Sequence, residues 1–167
     1  IKKLIKDYPD FPKDGILFKD IFPIFQNPEA FEEVVKTMAN STILKKADAI
    51  IAIDARGFIL GSAISFFLSK PMIVARKPGK LPGDLISKSY NLEYGSNSLS
   101  LQKKALDKFE SFAIVDDLLA TGGTAKCIVE ILLDLNKKIE GLSVLIELKD
   151  LKGRDNLEIP VNSLITF

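Results

Sequence analysis

Residues 112–124 read FAIVDDLLATGGT, and this stretch decides the class of fold. An apolar run, Phe112–Val115, meets two adjacent acids, Asp116 and Asp117, and then a pair of glycines. A short apolar run of this kind is typical of a buried strand in a parallel sheet. Helical apolar spacing follows at Thr124–Leu135. The stretch therefore predicts a strand that ends at the acids, then a glycine turn, then a helix.

The same alternation continues on both sides of this stretch. Apolar spacing predicts two further helices, Pro28–Lys46 and Phe58–Leu68. Short buried runs predict four further strands, at Ala49–Ile53, Met72–Ala75, Leu142–Leu148 and Val161–Phe167. Strands that alternate with helices favour one α/β domain over residues 1–167, with a mostly parallel central sheet flanked by helices.

Two segments depart from the alternation. Residues 1–26 carry several prolines and aromatic residues and read as irregular structure. Residues 77–111 are rich in Gly, Pro, Ser and Lys, and they are too long for a plain connection. We expect about residues 78–110 to form a flexible flap that contains a β-hairpin.

Composition excludes several classes of function. The 167 residues carry 23 basic and 22 acidic side chains, so the net charge of +1 gives no general attraction to nucleic acid or anionic membranes. No apolar run reaches the ~18 residues of a membrane helix, and no signal-peptide pattern is present. A single cysteine excludes an internal disulfide and favours a reducing, cytoplasmic location. The absence of histidine excludes Ser-His-Asp and Cys-His sites and His-based zinc sites.

The acids and glycines of the opening stretch predict a ligand site. Ligands of open parallel sheets bind beyond the carboxyl ends of the strands. Amide groups of Thr121–Thr124, with the positive end of the helix that follows, suit a phosphate monoester. Asp116 and Asp117 suit the vicinal hydroxyls of a sugar, or Mg²⁺ held partly through water. The alternative is a plain tight turn after a solvated strand end. Neither a Walker A loop nor a dinucleotide fingerprint is present.

These residues resemble a known family. VDDLLATGGTA closely resembles the signature of the type I phosphoribosyltransferases, which bind 5-phosphoribosyl-1-pyrophosphate (PRPP). The resemblance extends over nearly the whole chain. Its adenine-specific members are matched by FPKDGILFKDI near the start, DARGFILG, RKPGKLPG, YNLEYG and LKGRDNL. The resemblance implies a purine-salvage enzyme that converts adenine and PRPP to AMP and pyrophosphate. It also implies Mg²⁺ as cofactor, a small hood formed mainly by residues 1–26, and a homodimer.

The resemblance implies roles for residues on both sides of the reacting sugar. Those for the ribose and 5′-phosphate are Asp116, Asp117, Ala120, Thr121, Gly122, Gly123 and Thr124. Those for pyrophosphate are Asp54, Ala55, Arg56, Arg76, Lys77 and Lys80, with a non-proline cis peptide at or near Asp54-Ala55. From the residues alone, Arg56 could instead form a surface ion pair, and Lys77 could belong to a solvated run of charges.

The resemblance also implies a catalytic group and a base site. Glu93, Arg56 and Tyr94 are the implied catalytic residues, with the flap closing as a lid that excludes water. Those implied for adenine are Leu17, Phe18, Lys19 and Leu148, where Phe18 could stack on a purine. On composition alone, a role for Phe18 as an ordinary residue of the hydrophobic core explains it nearly as well. Ser100 departs from the family, which usually has an acid there, and this affects the packing of the flap more than activity.

Two other functions remain open on the sequence. One is phosphoribosyl transfer to a different purine, because no side chain is an obvious reader of the adenine amino group. The other is a non-catalytic PRPP-sensing protein that retains the phosphate site. Arg56, Glu93 and the basic residues 76–80 argue against a sensor, which could dispense with Glu93.

Overall fold

The computed structural model describes residues 1–92 and 95–167, with side chains described outside residues 90–97. Glu93 and Tyr94, which the resemblance implies as catalytic residues, lie outside the described residues. The strands are β1 (Lys6–Tyr8), β2 (Phe18–Asp20), β3 (Ala49–Ile53), β4 (Met72–Ala75), β5 (Leu85–Leu92), β6 (Gly95–Gln102), β7 (Ser111–Leu119), β8 (Lys138–Glu147) and β9 (Val161–Thr166). The helices are α1 (Phe22–Phe25), α2 (Pro28–Ala39), α3 (Thr42–Lys46), α4 (Gly57–Leu68), α5 (Lys103–Leu106) and α6 (Gly123–Asp134).

A five-stranded sheet organises the domain, in the order β4-β3-β7-β8-β9. Its four pairings are all parallel. All five residues of β3 are buried, because helices cover both faces of the sheet. Alternate residues therefore enter different cores. Ile50 packs with α2, α3 and α4 on one face, whereas Ile51 packs with α6 and the β5-β6 hairpin on the other.

Three predicted helix or strand boundaries were wrong. The predicted helix Pro28–Lys46 is two helices, because Ser41 begins a second one and its Oγ accepts a hydrogen bond from the Leu44 amide. The strand predicted to end at Val115 continues to Leu119, so Asp116 and Asp117 lie within β7. The strand predicted at Leu142–Leu148 begins earlier, at Lys138, and ends at Glu147.

The two segments outside the alternation form small sheets of their own. In the N-terminal segment, β1 pairs with β2, and the Lys19 ammonium binds the Asp7 carboxylate at 2.8 Å. Between β4 and β7, β5 pairs with β6 in an antiparallel hairpin, as expected. Paired backbone hydrogen bonds between Arg76 and Ser100 join this hairpin to the sheet edge. Within the described ranges, no helix has the length and apolar character needed to cross a bilayer.

Candidate active site

A cavity of about 430 Å³ lies at the carboxyl end of the sheet. β3, β7 and the loop that opens α6 surround it. The predicted site residues that line it are Asp54, Ala55, Arg56, Lys77, Asp116, Asp117, Ala120, Thr121, Gly122, Gly123 and Thr124. The residues implied for ribose and 5′-phosphate therefore share one space with four of the six implied for pyrophosphate, although they come from three separate parts of the chain.

The two acids of β7 are held in different environments. Asp116 Oδ1 accepts a hydrogen bond from the Asp117 amide at 2.8 Å. Gly57 lies against Asp116, and a Cβ at residue 57 would lie 2.8 Å from Oδ1. The side chain of Asp117 is almost fully buried, and its Oδ2 lies 2.9 Å from Arg56 Nη2. Helix α4 thus begins with a glycine because any larger residue would displace the first of the two carboxylates.

Burial raises the pKa of both carboxyl groups. For Asp116, the negative charge of Asp117 raises the pKa further, and the rise is the larger of the two. For Asp117, the Arg56 guanidinium opposes the effect of burial, and the pKa is raised less. Ionising both of these adjacent, partly buried acids is therefore unfavourable. Acids of this kind are typical of a functional site that binds a cation or a hydroxyl group.

The Arg56–Asp117 contact leaves polar atoms without hydrogen bonds. Asp117 Oδ2 and Arg56 Nη1 are buried and find no hydrogen-bond partner among the described residues. The two groups therefore attract each other at ion-pair distance without full hydrogen-bond alignment. Arg56 also stacks over the ring of Phe18, with its guanidinium carbon 4.9 Å from the ring centroid. One guanidinium thus bridges the acids of β7 and the N-terminal segment.

The pyrophosphate side contains the expected cis peptide, between Asp54 and Ala55. Arg76 does not line the cavity, and its Nε donates to Asp54 Oδ2 at 3.0 Å. The carbonyl of Lys80 accepts a long hydrogen bond of 3.4 Å from Arg76 Nη1. Lys77 alone of the three basic residues lines the cavity, so the basic group predicted from residues 76–80 is only partly gathered there.

The residues implied for the base do not line this cavity. Phe18 lines a separate apolar pocket of about 290 Å³ in the N-terminal segment. Leu17 is half-exposed, and Leu148 packs against the core on the α2 side of the sheet. Lys19 is buried, with its ammonium 3.9 Å from the Phe167 ring centroid, so its side chain is committed within the fold.

The loop of residues 120–124 has its amides available. Its peptide bonds are trans, and Gly122 has a φ of +86° that favours glycine. Across the part of the chain that the structure describes, none of the amides of residues 121–124 donates to a backbone carbonyl. Amides without partners at the start of a 12-residue helix, α6, can bind an anion.

Sequence reasoning missed the residues that support this loop from behind. Gly153 contacts the backbone of the loop, and the Asn156 side chain donates to the Thr121 carbonyl at 2.8 Å. The only signal was the segment LKGRDNL, which resembles the family without revealing what its residues contact.

The profile of the phosphoribosyl transferase domain matches residues 24–162. The adenine phosphoribosyltransferase of Prochlorococcus marinus is 57% identical over 167 residues, which is 100% of this chain and 98% of that protein.

The chain belongs to the adenine phosphoribosyltransferase family.

Solved structures of the adenine phosphoribosyltransferase family have the same fold. The enzyme from Thermoanaerobacter pseudethanolicus superimposes with a TM-score of 0.94 at 41% identity, over 100% of this chain and 98% of that one. The Saccharomyces cerevisiae enzyme was crystallised with adenine and an imino-altritol bisphosphate. It superimposes with a TM-score of 0.87 at 34% identity, over 98% of this chain and 96% of that one. The type I phosphoribosyltransferase fold expected from the sequence is therefore confirmed.

Proposed function

We propose that this protein transfers the 5-phosphoribosyl group of PRPP to adenine and releases AMP and pyrophosphate in purine salvage. One observation carries the proposal: a single cavity combines paired acids, an arginine and a loop whose amides donate to no backbone carbonyl of the described residues. Relatives that cover the whole chain bear the name adenine phosphoribosyltransferase, and the Saccharomyces cerevisiae relative was crystallised in complex with adenine and an imino-altritol bisphosphate.

Each part of PRPP has a complementary region in the cavity. The 5′-phosphate binds the amides of the loop, whose hydroxyl-bearing residues Thr121 and Thr124 add two donors. The ribose hydroxyls donate to Asp116 and Asp117, whose negative charge also favours the oxocarbenium character that develops at C1′. The pyrophosphate binds near Arg56 and Lys77, because its charge grows as the bond to C1′ breaks.

Arg56 has a second role in this scheme. In the free protein its guanidinium covers one face of Phe18 and faces Asp117. A purine that stacks on this face of Phe18 displaces the guanidinium, which then moves toward the pyrophosphate. Leu17, Lys19 and Leu148 complete the base site, Lys19 through its backbone. The β1-β2 segment thus acts as the hood.

The acids fit a magnesium ion that arrives with PRPP. Asp117 Oδ2 is buried and has no hydrogen-bond partner within the described ranges, and carboxylate oxygens are ligands that Mg²⁺ prefers. Across the described residues, no group of three or more Asp, Glu, Cys or His side chains could hold a metal ion. Asp116 and Asp117 would therefore bind the ion through water or through the ribose hydroxyls. When bound, Mg²⁺ neutralises negative charge on the leaving pyrophosphate.

Two further parts of the proposal concern the hairpin and the assembly. The β5-β6 hairpin closes over the cavity as a flap that excludes water. Glu93 and Tyr94, which lie outside the described residues, are the catalytic residues of this proposal. The protein forms a homodimer, which is supported by apolar residues exposed on α4, among them Phe66, with 88% of its surface accessible, and Phe67. Its location is the cytoplasm, which the single cysteine favours. Size-exclusion chromatography with light scattering tests the dimer.

The decisive experiment measures pyrophosphate release with PRPP and Mg²⁺, comparing adenine, hypoxanthine, guanine and xanthine in parallel. Turnover with adenine alone is the expected result, and Glu93→Ala should then lower it strongly. Turnover with a 6-oxopurine would reassign the base. Binding of PRPP without turnover on any base would make the protein a PRPP sensor.

A further inference from the structure

We propose that Asn156 and Gly153 are positioning residues that aim the amides of the loop at the 5′-phosphate. The inference rests on the proposed function and extends it to a segment outside the cavity. Gly153–Asn156 is a 3₁₀ turn that contacts residues 120–124 and does not line the cavity.

The turn and the loop meet backbone to backbone. A Cβ at residue 153 would overlap the Ala120 carbonyl oxygen and would lie 3.0 Å from the Gly122 nitrogen. Conversely, a Cβ at residue 122 would lie 2.6 Å from the Gly153 carbonyl oxygen. Two glycines therefore face each other, since neither position leaves room for a side chain.

The contacts fix the direction of two carbonyl groups. The Ala120 oxygen points toward Gly153, since it lies nearer than its own carbon to the position of a Cβ there. The Thr121 oxygen accepts a hydrogen bond from Asn156 Nδ2 at 2.8 Å. Both peptides are trans, and in a trans peptide the C=O and the following N–H point in opposite directions. The amides of Thr121 and Gly122 consequently point away from the contacts that these carbonyls make with the turn, and both residues line the cavity.

The turn is itself firmly attached to the sheet. Arg154 forms two parallel hydrogen bonds to Glu147 at the end of β8, at 2.9 and 2.6 Å. It also donates to the Val161 carbonyl at the start of β9, at 2.7 Å. A bidentate pair of this kind fixes the relative orientation of the two side chains in addition to holding them together. The loop that receives the phosphate is therefore braced against two strands by a turn that does not line the cavity.

The test uses Asn156→Ala, with Asn162→Ala as a matched control. Asn156 is exposed, so its truncation should leave the fold intact. Asn162 lies on β9, and its side-chain amide donates to Ser143 Oγ of β8 at 3.5 Å instead of to a carbonyl of the loop. We expect Asn156→Ala to raise the KM for PRPP and the dissociation constants of AMP and ribose 5-phosphate by about fivefold each, the scale of one hydrogen bond. The KM for adenine and kcat should not change, and the control should match the wild type.

A second variant, Gly153→Ala, should have a larger effect on phosphate binding. The Cβ of Gly153→Ala displaces the loop itself, so we expect the affinity for PRPP, AMP and ribose 5-phosphate to fall more than tenfold. Thermal unfolding verifies that the variant folds. The inference would be overturned if either variant lost as much affinity for adenine as for AMP, or if Asn156→Ala bound AMP as tightly as the wild type. A wild-type protein that binds neither AMP nor ribose 5-phosphate would instead refute the proposed function.

Discussion

Replacing Asp116 by asparagine should make the free protein more stable while it weakens substrate binding. Burial and the charge of Asp117 both raise the pKa of Asp116, so the folded protein holds this carboxylate at a cost. Asparagine keeps the same shape, and its Oδ1 can still accept the hydrogen bond from the Asp117 amide. The substitution removes the charge, and with it the repulsion between neighbouring acids, and it turns one acceptor oxygen into an NH₂ donor.

The size of the effect follows from the kind of change. Relieving a functional site of an unfavourable charge commonly adds about 1 kcal/mol to the free energy of unfolding. For a domain of 167 residues, this corresponds to a rise in Tm of roughly 3 °C. The cost to binding is larger, because hydrogen bonds to charged groups contribute about 1.5–3 kcal/mol. The affinity for PRPP should therefore fall roughly 10- to 100-fold.

The dependence on pH separates this explanation from a packing effect. A carboxyl whose pKa is raised in the folded state destabilises the protein above that raised pKa, and the cost disappears as pH falls toward the unfolded value near 3.8. Calorimetric Tm values of Asp116→Asn and the wild type should thus differ most near pH 8 and converge near pH 4. A variant less stable than the wild type at pH 8 would refute the reasoning.

The remaining predictions concern other contacts. Arg154→Met leaves the buried Glu147 without its ionic partner, with only the Ser163 hydroxyl still donating to it, and should cost about 2 kcal/mol in urea unfolding at pH 7. Because Arg154 lowers the pKa of Glu147 below its ordinary 4.5, this loss should shrink as pH falls through that region. Lys70→Met removes an ammonium that donates to the carbonyls of Leu44, Lys45 and Ala47 and should cost about 1–2 kcal/mol by the same assay. Gly57→Ala, which would favour most helices, should instead weaken PRPP binding measured by calorimetry, because its Cβ meets the Asp116 carboxylate.

The sequence predicted the strands of the sheet well where a short apolar run is bounded by polar residues on both sides. β3 was predicted to the residue, because its five apolar residues stand between a polar loop and an acid. β7 was predicted too short because Asp116 interrupts the apolar run. A strand continues as long as its backbone pairs, and β8 pairs with β7 as far as Leu119. Side-chain polarity alone cannot reveal that pairing.

The candidate site was predicted in part for a similar reason. Residues of Asp116–Thr124 are neighbours in the chain, so their chemistry could be read together. The contact between Gly122 and Gly153 joins distant segments, and a glycine carries no chemical signal of what it touches. Arg76 was expected at the pyrophosphate, but Asp54 holds its guanidinium, an ion pair that depends on the register between β3 and β4.

The position of β7 has a consequence for how the chain reaches its native state. β7 lies at the centre of the sheet and pairs with β3, yet α4, β4 and the whole hairpin lie between them in the chain. Pairings across such long separations slow folding, because loop-closure entropy must be overcome before the contacts form. Until β7 arrives, the fully apolar β3 has an open edge, which makes the nascent chain prone to aggregation. Recovery of soluble protein should therefore depend on chaperones and on the temperature of synthesis more than on the stability of the finished fold.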